Sequence, residues 1–142
     1  MKVLSALSCL ILAMAASGLA AQTPAATATS GADAPDLKRG RLLFIQCRAC
    51  HEVKAGLPHK VGPNLNGILG RKAGAAAGFK YSDVLVKSGV VWSRETLDAW
   101  IRQPASLVPG NAMAYPGIAN DADRAAVIAW MLANGADGAA KP

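Results

Sequence analysis

Two cysteines and a histidine are the residues whose types and spacing best suit chemistry, in the pattern C-x-x-C-H at Cys47, Cys50 and His51. This pattern is typical of the attachment sequence for a c-type haem. Two thiols one helical turn apart can reach the two vinyl groups on one edge of a porphyrin, and the next residue can supply an axial imidazole to the iron. The spacing therefore predicts one covalent haem c, with His51 as an iron ligand.

Three other chemistries use the same residue types. A redox-active dithiol pair usually follows a strand and opens a helix, but no strand pattern precedes Cys47. A zinc site would need ligands beyond His51 and His59, and no further cysteine follows Cys50. A plain disulfide in an exported chain is the third possibility. The motif, the export signal described below and the chain length together favour haem over all three.

The second axial ligand follows by elimination among the methionines and the other histidine. Met1 and Met14 lie in a segment expected to be removed, and Met131 lies on the apolar face of a predicted helix, where a core methionine is expected. His59 comes only eight residues after the first ligand and would have to reach the other face of the ring. Met113 remains, in a loop rich in proline and glycine that can hold one side chain over a flat surface. The predicted metal ligands are therefore His51 and Met113.

The N-terminal segment is expected to be a targeting signal that is not part of the folded domain. A positive start is followed by 19 uncharged residues and a small-residue cleavage site, which predicts a signal peptide at 1–21. An uncleaved membrane anchor is the alternative, but serines, glycine and alanines dilute its hydrophobicity. Residues 22–35 are predicted to be a flexible tether rich in Ala, Thr and Pro, because they hold no bulky apolar side chain. The folded domain is expected at 36–135, with a C-terminal tail at 136–142.

The domain reads as all-α, because helical periodicity and caps recur and no strand pattern is present. Gly40 interrupts the first helix at a cost of about 1 kcal/mol relative to Ala, which indicates that another backbone passes close by. The stretch 104–117 is predicted to be loop without helix. The expected helices are 36–49 capped by Asp36, 81–88 ended by Gly89, a helix capped by Ser93 and running through Arg102, and a last helix capped by Asn120 or Asp121 and ended by Asn134-Gly135.

The chain resembles class I c-type cytochromes, the soluble mitochondrial and photosynthetic-bacterial kind, over nearly the whole folded part. The resemblance implies a small cytochrome c fold: three main helices, with short helices and long loops, around one covalently bound haem. Gly40 and Phe44 match residues where the first helix crosses the last, and Trp130 matches their partner. The motifs that carry this resemblance are CRACH (47–51), VGPNLNGILGRKAG (61–74), GFKYSD (78–83), GVVWSRETL (89–97), VPGNAMAYPGI (108–118) and RAAVIAW (124–130).

Further haem-binding roles are implied by the resemblance. Pro63 matches the residue whose carbonyl accepts a hydrogen bond from the proximal imidazole, which strengthens that ligand. Arg71, Tyr81 and Trp92 match groups that bind a buried haem propionate, which is costly to bury without donors. His59 matches a histidine that ties one loop to another, which favours a structural role over ligation.

The chain departs from the family pattern at residues near the methionine sulfur and around the exposed haem edge, the docking face for redox partners. Trp100 stands where the family often has a tyrosine near the methionine sulfur, Asn111 replaces a threonine and Leu85 replaces an asparagine. The resemblance implies that these changes alter the reduction potential. Tyr115 falls where an aromatic residue commonly covers the exposed haem edge. Lysines that commonly ring this edge are replaced by Ala105, Ser106 and Ala112, so the docking face is less basic than the net charge suggests.

The net charge and its distribution along the chain indicate association with other proteins rather than with nucleic acid. Lys and Arg number 15 against 9 acidic residues, a net charge of +6, and removal of Lys2 with the signal leaves 14 basic residues. The basic residues are scattered, which argues against nucleic-acid binding, and the excess favours association with acidic surfaces at low salt. With about 150 residues per domain, the length excludes a multidomain enzyme.

These observations predict a monomeric periplasmic electron shuttle of a respiratory or photosynthetic chain, and not an enzyme. It would accept an electron from a reductase and pass it to an oxidase or photosynthetic acceptor, with no small-molecule substrate. Three alternatives stay open: an open-iron enzyme or gas sensor, a subunit held at one membrane oxidoreductase by an uncut N-terminus, and a haem-free dithiol module.

Overall fold

The computed structural model describes residues 35–135, which form an all-helical domain. The expected signal peptide, most of the expected tether and the expected tail lie outside these residues. Within 35–135 there is no β-strand; Lys72 and Val91 form one isolated antiparallel bridge. The helices are α1 (Leu37–Leu43), α2 (Ile45–Arg48), α3 (Asp83–Val86), α4 (Arg94–Arg102), α5 (Pro104–Leu107) and α6 (Asp121–Gly135).

The first predicted helix is two helices in the structure. Asp36 caps α1 as expected, because its carboxylate accepts hydrogen bonds from the backbone N–H groups of Lys38 and Arg39 at 2.9 and 3.0 Å. The helix ends at Phe44, whose ψ of −13° departs from regular helix and whose ring is buried at 1 % exposure. The second helix, α2, begins directly after this break and carries the first cysteine.

The crossing of α1 over α6 organises the domain. Gly40 is buried there, and a Cβ atom at this position would lie 2.7 Å from the carbonyl carbon of Ala126 and 2.8 Å from Cβ of Trp130. The rings of Phe44 and Trp130 pack beside this contact, with centroids 4.7 Å apart. The prediction that a backbone passes close to Gly40 is therefore confirmed, and the passing backbone belongs to α6.

The prediction of loop throughout 104–117 is wrong in its first turn, where α5 lies. Pro104 is the first residue of α5, a position where proline is favoured because its fixed φ suits the helix and its missing N–H needs no partner. The backbone N–H of Val108 closes the turn on the carbonyl of Pro104 at 3.0 Å. Met113 lies beyond this turn, in non-helical chain as predicted. The predicted helix 81–88 is also shorter than expected, and only its middle forms α3.

A buried arginine ties α6 to α4. Arg124 is 1 % exposed, and its Nε donates to Asp98 on α4 at 2.7 Å. Its remaining nitrogens donate to Asp121 at 2.5 Å and to the carbonyls of Ile118 and Ala119 at 2.9 and 2.7 Å. A buried guanidinium is tolerated when all its donors are used in this way. The network fixes the chain that leads from Met113 into α6.

Candidate functional site

A cleft of about 400 Å³ opens between α2, α4, α6 and the loops that join them. Most of its lining side chains are apolar, as in pockets that hold a large flat ligand. The folding of the chain brings together every residue predicted for the site, although these residues come from separate segments of the sequence. All eight line this cleft: Cys47, Cys50, His51, Pro63, Arg71, Tyr81, Trp92 and Met113.

The C-x-x-C-H segment forms a tight turn at the end of α2. The backbone N–H groups of Cys50 and His51 both donate to the carbonyl of Cys47, at 3.0 and 2.8 Å. Cys47 and Cys50 form no disulfide with each other. Burial, with a smaller contribution from Cys50, raises the pKa of Cys47 to about 11. A redox-active dithiol needs a lowered thiol pKa, so this environment weighs against the dithiol interpretation.

His51 is buried and held in one tautomer. Its Nδ1 lies 2.8 Å from the carbonyl oxygen of Pro63. A carbonyl oxygen can only accept, so Nδ1 carries the hydrogen and Nε2 presents its lone pair. Burial lowers the pKa of His51 and outweighs the bond to Pro63, so the ring stays neutral and able to bind a metal ion.

Glycine is required beside this ring. A Cβ atom at Gly62 would lie 2.7 Å from Nδ1 of His51 and closer still to Cε1. The backbone of Gly62 is itself anchored, because its N–H donates to the carbonyl of Cys50 at 2.8 Å. Any larger residue would push the imidazole out of the position that Pro63 sets.

Met113 is held on both its backbone and its side chain. The indole Nε1 of Trp100 donates to Sδ of Met113 at 3.1 Å. The side chain of Asn111 accepts from the N–H of Met113 at 2.9 Å and donates to the carbonyl of Val108 at 2.8 Å. Asn111 was not predicted in this role from the sequence, although an asparagine two residues before a fixed backbone N–H is a common turn signal. The thioether is therefore oriented by the protein itself.

The three remaining predicted residues lie at the cleft in different surroundings. The guanidinium of Arg71 donates to the backbone carbonyls of Asn66 and Asn64, at 3.1 and 3.2 Å. Tyr81 is half-buried, and this burial raises its pKa. Trp92 is buried, and its ring packs edge-on against Trp100 with centroids 5.4 Å apart.

The other candidate ligands lie in different environments. Both ring nitrogens of His59 are engaged, with the carbonyl of Ala77 at 2.8 Å and the N–H of Asn64 at 2.8 Å. His59 thus ties two loops together and has no nitrogen left for a metal ion. Met131 is 3 % exposed among the core residues, although it also lines the cleft.

Two buried hydroxyl groups in the lining bear on whether the cleft fits a haem. The hydroxyls of Ser82 and Tyr115 are buried in the cleft lining and have no hydrogen-bond partner within the described part of the chain. Buried polar groups are normally satisfied, so these hydroxyls indicate an occupant with polar atoms. A large apolar cleft with two such groups, two thiols and a neutral imidazole fits a porphyrin with carboxylate substituents.

An all-helical domain that brings a C-x-x-C-H turn to such a cleft defines a c-type haem protein. The family model "Cytochrome c" matches residues 37–134 of the chain. Cytochrome c2 of Rhodoblastus acidophilus is 43% identical over 105 residues, which cover 74% of this chain and 98% of the relative. Cytochrome c2 iso-2 of Magnetospirillum fulvum is 50% identical over 88 residues, 62% of this chain and 91% of the relative. Cytochrome c of Kluyveromyces lactis is 42% identical over 96 residues, 67% of this chain and 87% of the relative.

The chain belongs to the cytochrome c family. It carries one covalently bound haem c with its iron, in agreement with the C-x-x-C-H turn at Cys47, Cys50 and His51. Its activity is electron transfer to and from redox partners, and it is not an enzyme.

Proposed function

We propose that this protein is a periplasmic shuttle of single electrons whose haem iron is bound by His51 and Met113. The observation that carries the ligation is the arrangement of these two side chains in one cleft. His51 presents Nε2 because Pro63 occupies Nδ1, and Met113 presents a sulfur positioned by Trp100. Imidazole and thioether together are the ligand pair that raises a haem potential.

The remaining residues of the cleft have roles in binding the porphyrin. Cys47 and Cys50 would form the two thioether bonds, and their placement one turn apart suits the two vinyl groups. Arg71, Tyr81 and Trp92 would bind a propionate, because each lines the cleft and carries an N–H or O–H donor. A propionate buried among these donors would have its charge partly compensated.

The haem supplies one-electron redox chemistry, and the protein's contribution is to hold its surroundings constant. His51 and Met113 are both anchored through second partners, so neither side chain would have to move when the bound haem changes its oxidation state. The positions of the imidazole and the thioether are set by hydrogen bonds to Pro63, Asn111 and Trp100. A site that needs no rearrangement suits a carrier better than it suits an enzyme that opens a coordination position for substrate.

Export to the periplasm is supported by the sequence of the N-terminus. In this proposal residues 1–21 are a cleaved signal peptide, 22–35 a flexible tether, 36–135 the cytochrome domain and 136–142 a tail. None of the helices in 35–135 is long and apolar enough to cross a membrane. The partners would be a reductase that donates the electron and an oxidase or photosynthetic centre that accepts it, with the shuttle acting as a monomer.

Paired methionine variants test the ligation. The oxidised protein should show a sulfur–iron absorption band and should not bind carbon monoxide when reduced. Met113→Ala should abolish the band and permit carbon monoxide binding, whereas Met131→Ala should keep the band because its sulfur belongs to the core. Loss of the band in Met131→Ala alone would reassign the ligand, and rapid carbon monoxide binding by the native protein would favour the open-iron alternative.

Mass spectrometry of the protein purified from its native host tests attachment and export together. We expect a chain that begins near residue 22 and retains the mass of one haem after denaturation. A chain that keeps Met1 would overturn the proposed cleavage and favour the anchored-subunit alternative. A correctly folded chain without covalent haem would overturn the whole proposal.

A further inference from the structure

The C-x-x-C-H turn is held by the short segment 60–63. The N–H of Gly62 donates to the carbonyl of Cys50 at 2.8 Å, and Nδ1 of His51 donates to the carbonyl of Pro63 at 2.8 Å. Within the segment, the N–H of its first residue donates to the carbonyl of Gly62 at 3.0 Å, which keeps the segment folded. One short stretch of chain therefore contacts both the turn and the imidazole that follows it.

The side chain of Lys60 adds a third contact between the segment and the turn. Its ammonium donates to the carbonyls of Arg48 and His51 at 2.9 and 3.2 Å. Arg48 is the last residue of α2, where helix carbonyls have no partner within the helix. Within residues 35–135 no other group donates a hydrogen bond to either carbonyl. Lys60 therefore satisfies two backbone groups of the turn, one of which belongs to His51.

A carboxylate also keeps the ammonium of Lys60 at this place. One oxygen of Glu52 lies 3.6 Å from the ammonium, and the other oxygen accepts from the N–H of Val53 at 2.9 Å. The side chain of Lys60 is 38 % exposed, so most of it is covered by the protein. Hydrogen bonds from a charged donor are roughly twice as strong as neutral ones. The ammonium is therefore restrained beside the backbone of the turn.

His51 is consequently held at both ends by the same segment. The carbonyl of Pro63 holds its ring, and the ammonium of Lys60 holds its backbone. Second partners of this kind orient metal-binding imidazoles and set their basicity. The bond from Nδ1 to Pro63 depends on distance and angle, so it stays closed only while the backbone of His51 keeps its position.

We propose that Lys60 is a positioning residue for the axial imidazole, which holds the backbone of His51 so that the bond from Nδ1 to Pro63 stays closed. This inference rests on the proposed ligation of the iron by His51 and adds a residue that controls it. Loss of the ammonium would leave two carbonyls of the turn without a donor, and the turn would open locally more often. The ion pair with Glu52 has the smaller part, because the carbonyls lie closer to the ammonium.

Hydrogen exchange of the reduced, haem-loaded protein, followed by NMR, measures this opening at the contact itself. The two reporting protons are the ring Nδ1–H of His51 and the amide N–H of Gly62. Lys60→Met should speed the exchange of both by about tenfold, because a hydrogen bond from a charged group contributes on that scale. The amide of Leu97 in α4 donates to the carbonyl of Ser93 at 2.9 Å and should keep its native rate.

Two control variants separate this role from the loss of a charge and from the ion pair. Lys54→Met removes an exposed cation that is close to the turn in sequence. Glu52→Gln removes the ion pair and leaves both carbonyl contacts of Lys60 in place. Each control should leave the two exchange rates within about twofold of the native values, because exposed charges and ion pairs contribute little.

Three results would overturn the inference. One is unchanged exchange of the Nδ1–H of His51 in Lys60→Met, and another is an equal acceleration at Leu97, which would indicate general destabilisation. The third is an equal effect of Glu52→Gln, which would assign the role to the ion pair.

The oxidised protein tests the ligation separately. Ring protons of His51 should show large hyperfine shifts if this ring binds the iron, and Lys60→Met should displace these resonances whereas Lys54→Met should not. Native protein without such shifts would refute the proposed ligation itself. Native protein with these shifts, but with the same resonances and exchange rates in Lys60→Met, would refute only the role of Lys60.

Discussion

Replacing Gly40 with alanine sets two opposing effects against each other at the crossing of α1 and α6. Alanine in place of glycine inside a helix is favourable by about 1 kcal/mol from propensity alone. Against this, the added Cβ would stand 2.7 Å from the carbonyl carbon of Ala126 and 2.8 Å from Cβ of Trp130. Because ordinary carbon contacts need about 3.5–4.0 Å, the two helices would have to separate by about 1 Å.

The steric clash should outweigh the gain in helix propensity, because the backbone and Cβ atoms of a helix cannot rotate away. Overpacking of a core costs about 1–3 kcal/mol, and a backbone obstruction lies at the upper end of this range. Subtracting the propensity gain leaves a net loss of about 2 kcal/mol in the free energy of unfolding for Gly40→Ala. For a domain of about 100 residues this corresponds to a fall in Tm of about 10 °C.

Guanidinium denaturation of the haem-loaded protein, followed by far-ultraviolet circular dichroism, measures this difference. Ala125→Gly is the control, because Ala125 is exposed on α6 and reports the propensity effect without the crossing. Ala125→Gly should lower the free energy of unfolding by about 1 kcal/mol. If Gly40→Ala were instead more stable than the native protein, the close approach of α6 would be wrong and the reasoning would fail.

Three further perturbations follow from the contacts around α4. Arg124→Met should lower the free energy of unfolding, measured with denaturant, by about 3 kcal/mol, because the buried carbonyls and Asp98 lose their hydrogen-bond donors. An unchanged denaturation midpoint would contradict the network. Trp100→Phe should lower the free energy of unfolding by about 1 kcal/mol. With Met113 binding the iron as proposed, it should also lower the reduction potential in a redox titration, because the N–H donor to the sulfur, which the variant lacks, would favour the less charged iron. The bond from Arg124 holds the pKa of Asp121 below its ordinary value, so the stability from this pair is complete above about pH 4 and lost as pH falls further. Arg124→Met should therefore show a weaker loss of stability as the pH falls below about 4 in acid denaturation, and an equal loss would refute the assignment.

Much of the fold was predictable because local signals agree with the tertiary structure. Ser93 caps α4 as expected, and with Thr96 it forms a reciprocal capping box at 3.2 and 2.7 Å. The last helix begins where Asn120 was expected, since its side chain accepts from the N–H of Asp123 at 2.9 Å. Caps of this kind are decided by residues three or four positions apart, which the sequence displays directly.

Other features depended on distant partners and were misjudged. The first helix was expected to run unbroken, but Phe44 ends α1 where its ring is buried beside Trp130, far away in the sequence. The turn of α5 was missed because proline and glycine in 104–117 indicated loop, while Pro104 in fact opens a helix. Arg124 was not predicted as a structural residue, because its five hydrogen bonds join segments separated by up to 26 positions.

The chemistry of the site could be predicted from local spacing, because covalent attachment depends on the positions of Cys47, Cys50 and His51 along a few residues of chain. The control of that chemistry depends on contacts between distant segments. The tautomer of His51 and the donor on the sulfur of Met113 each arise where separate segments meet. Hydrogen bonds and solvent exposure depend on distances in space, and residues distant in sequence acquire those distances only when the helices pack.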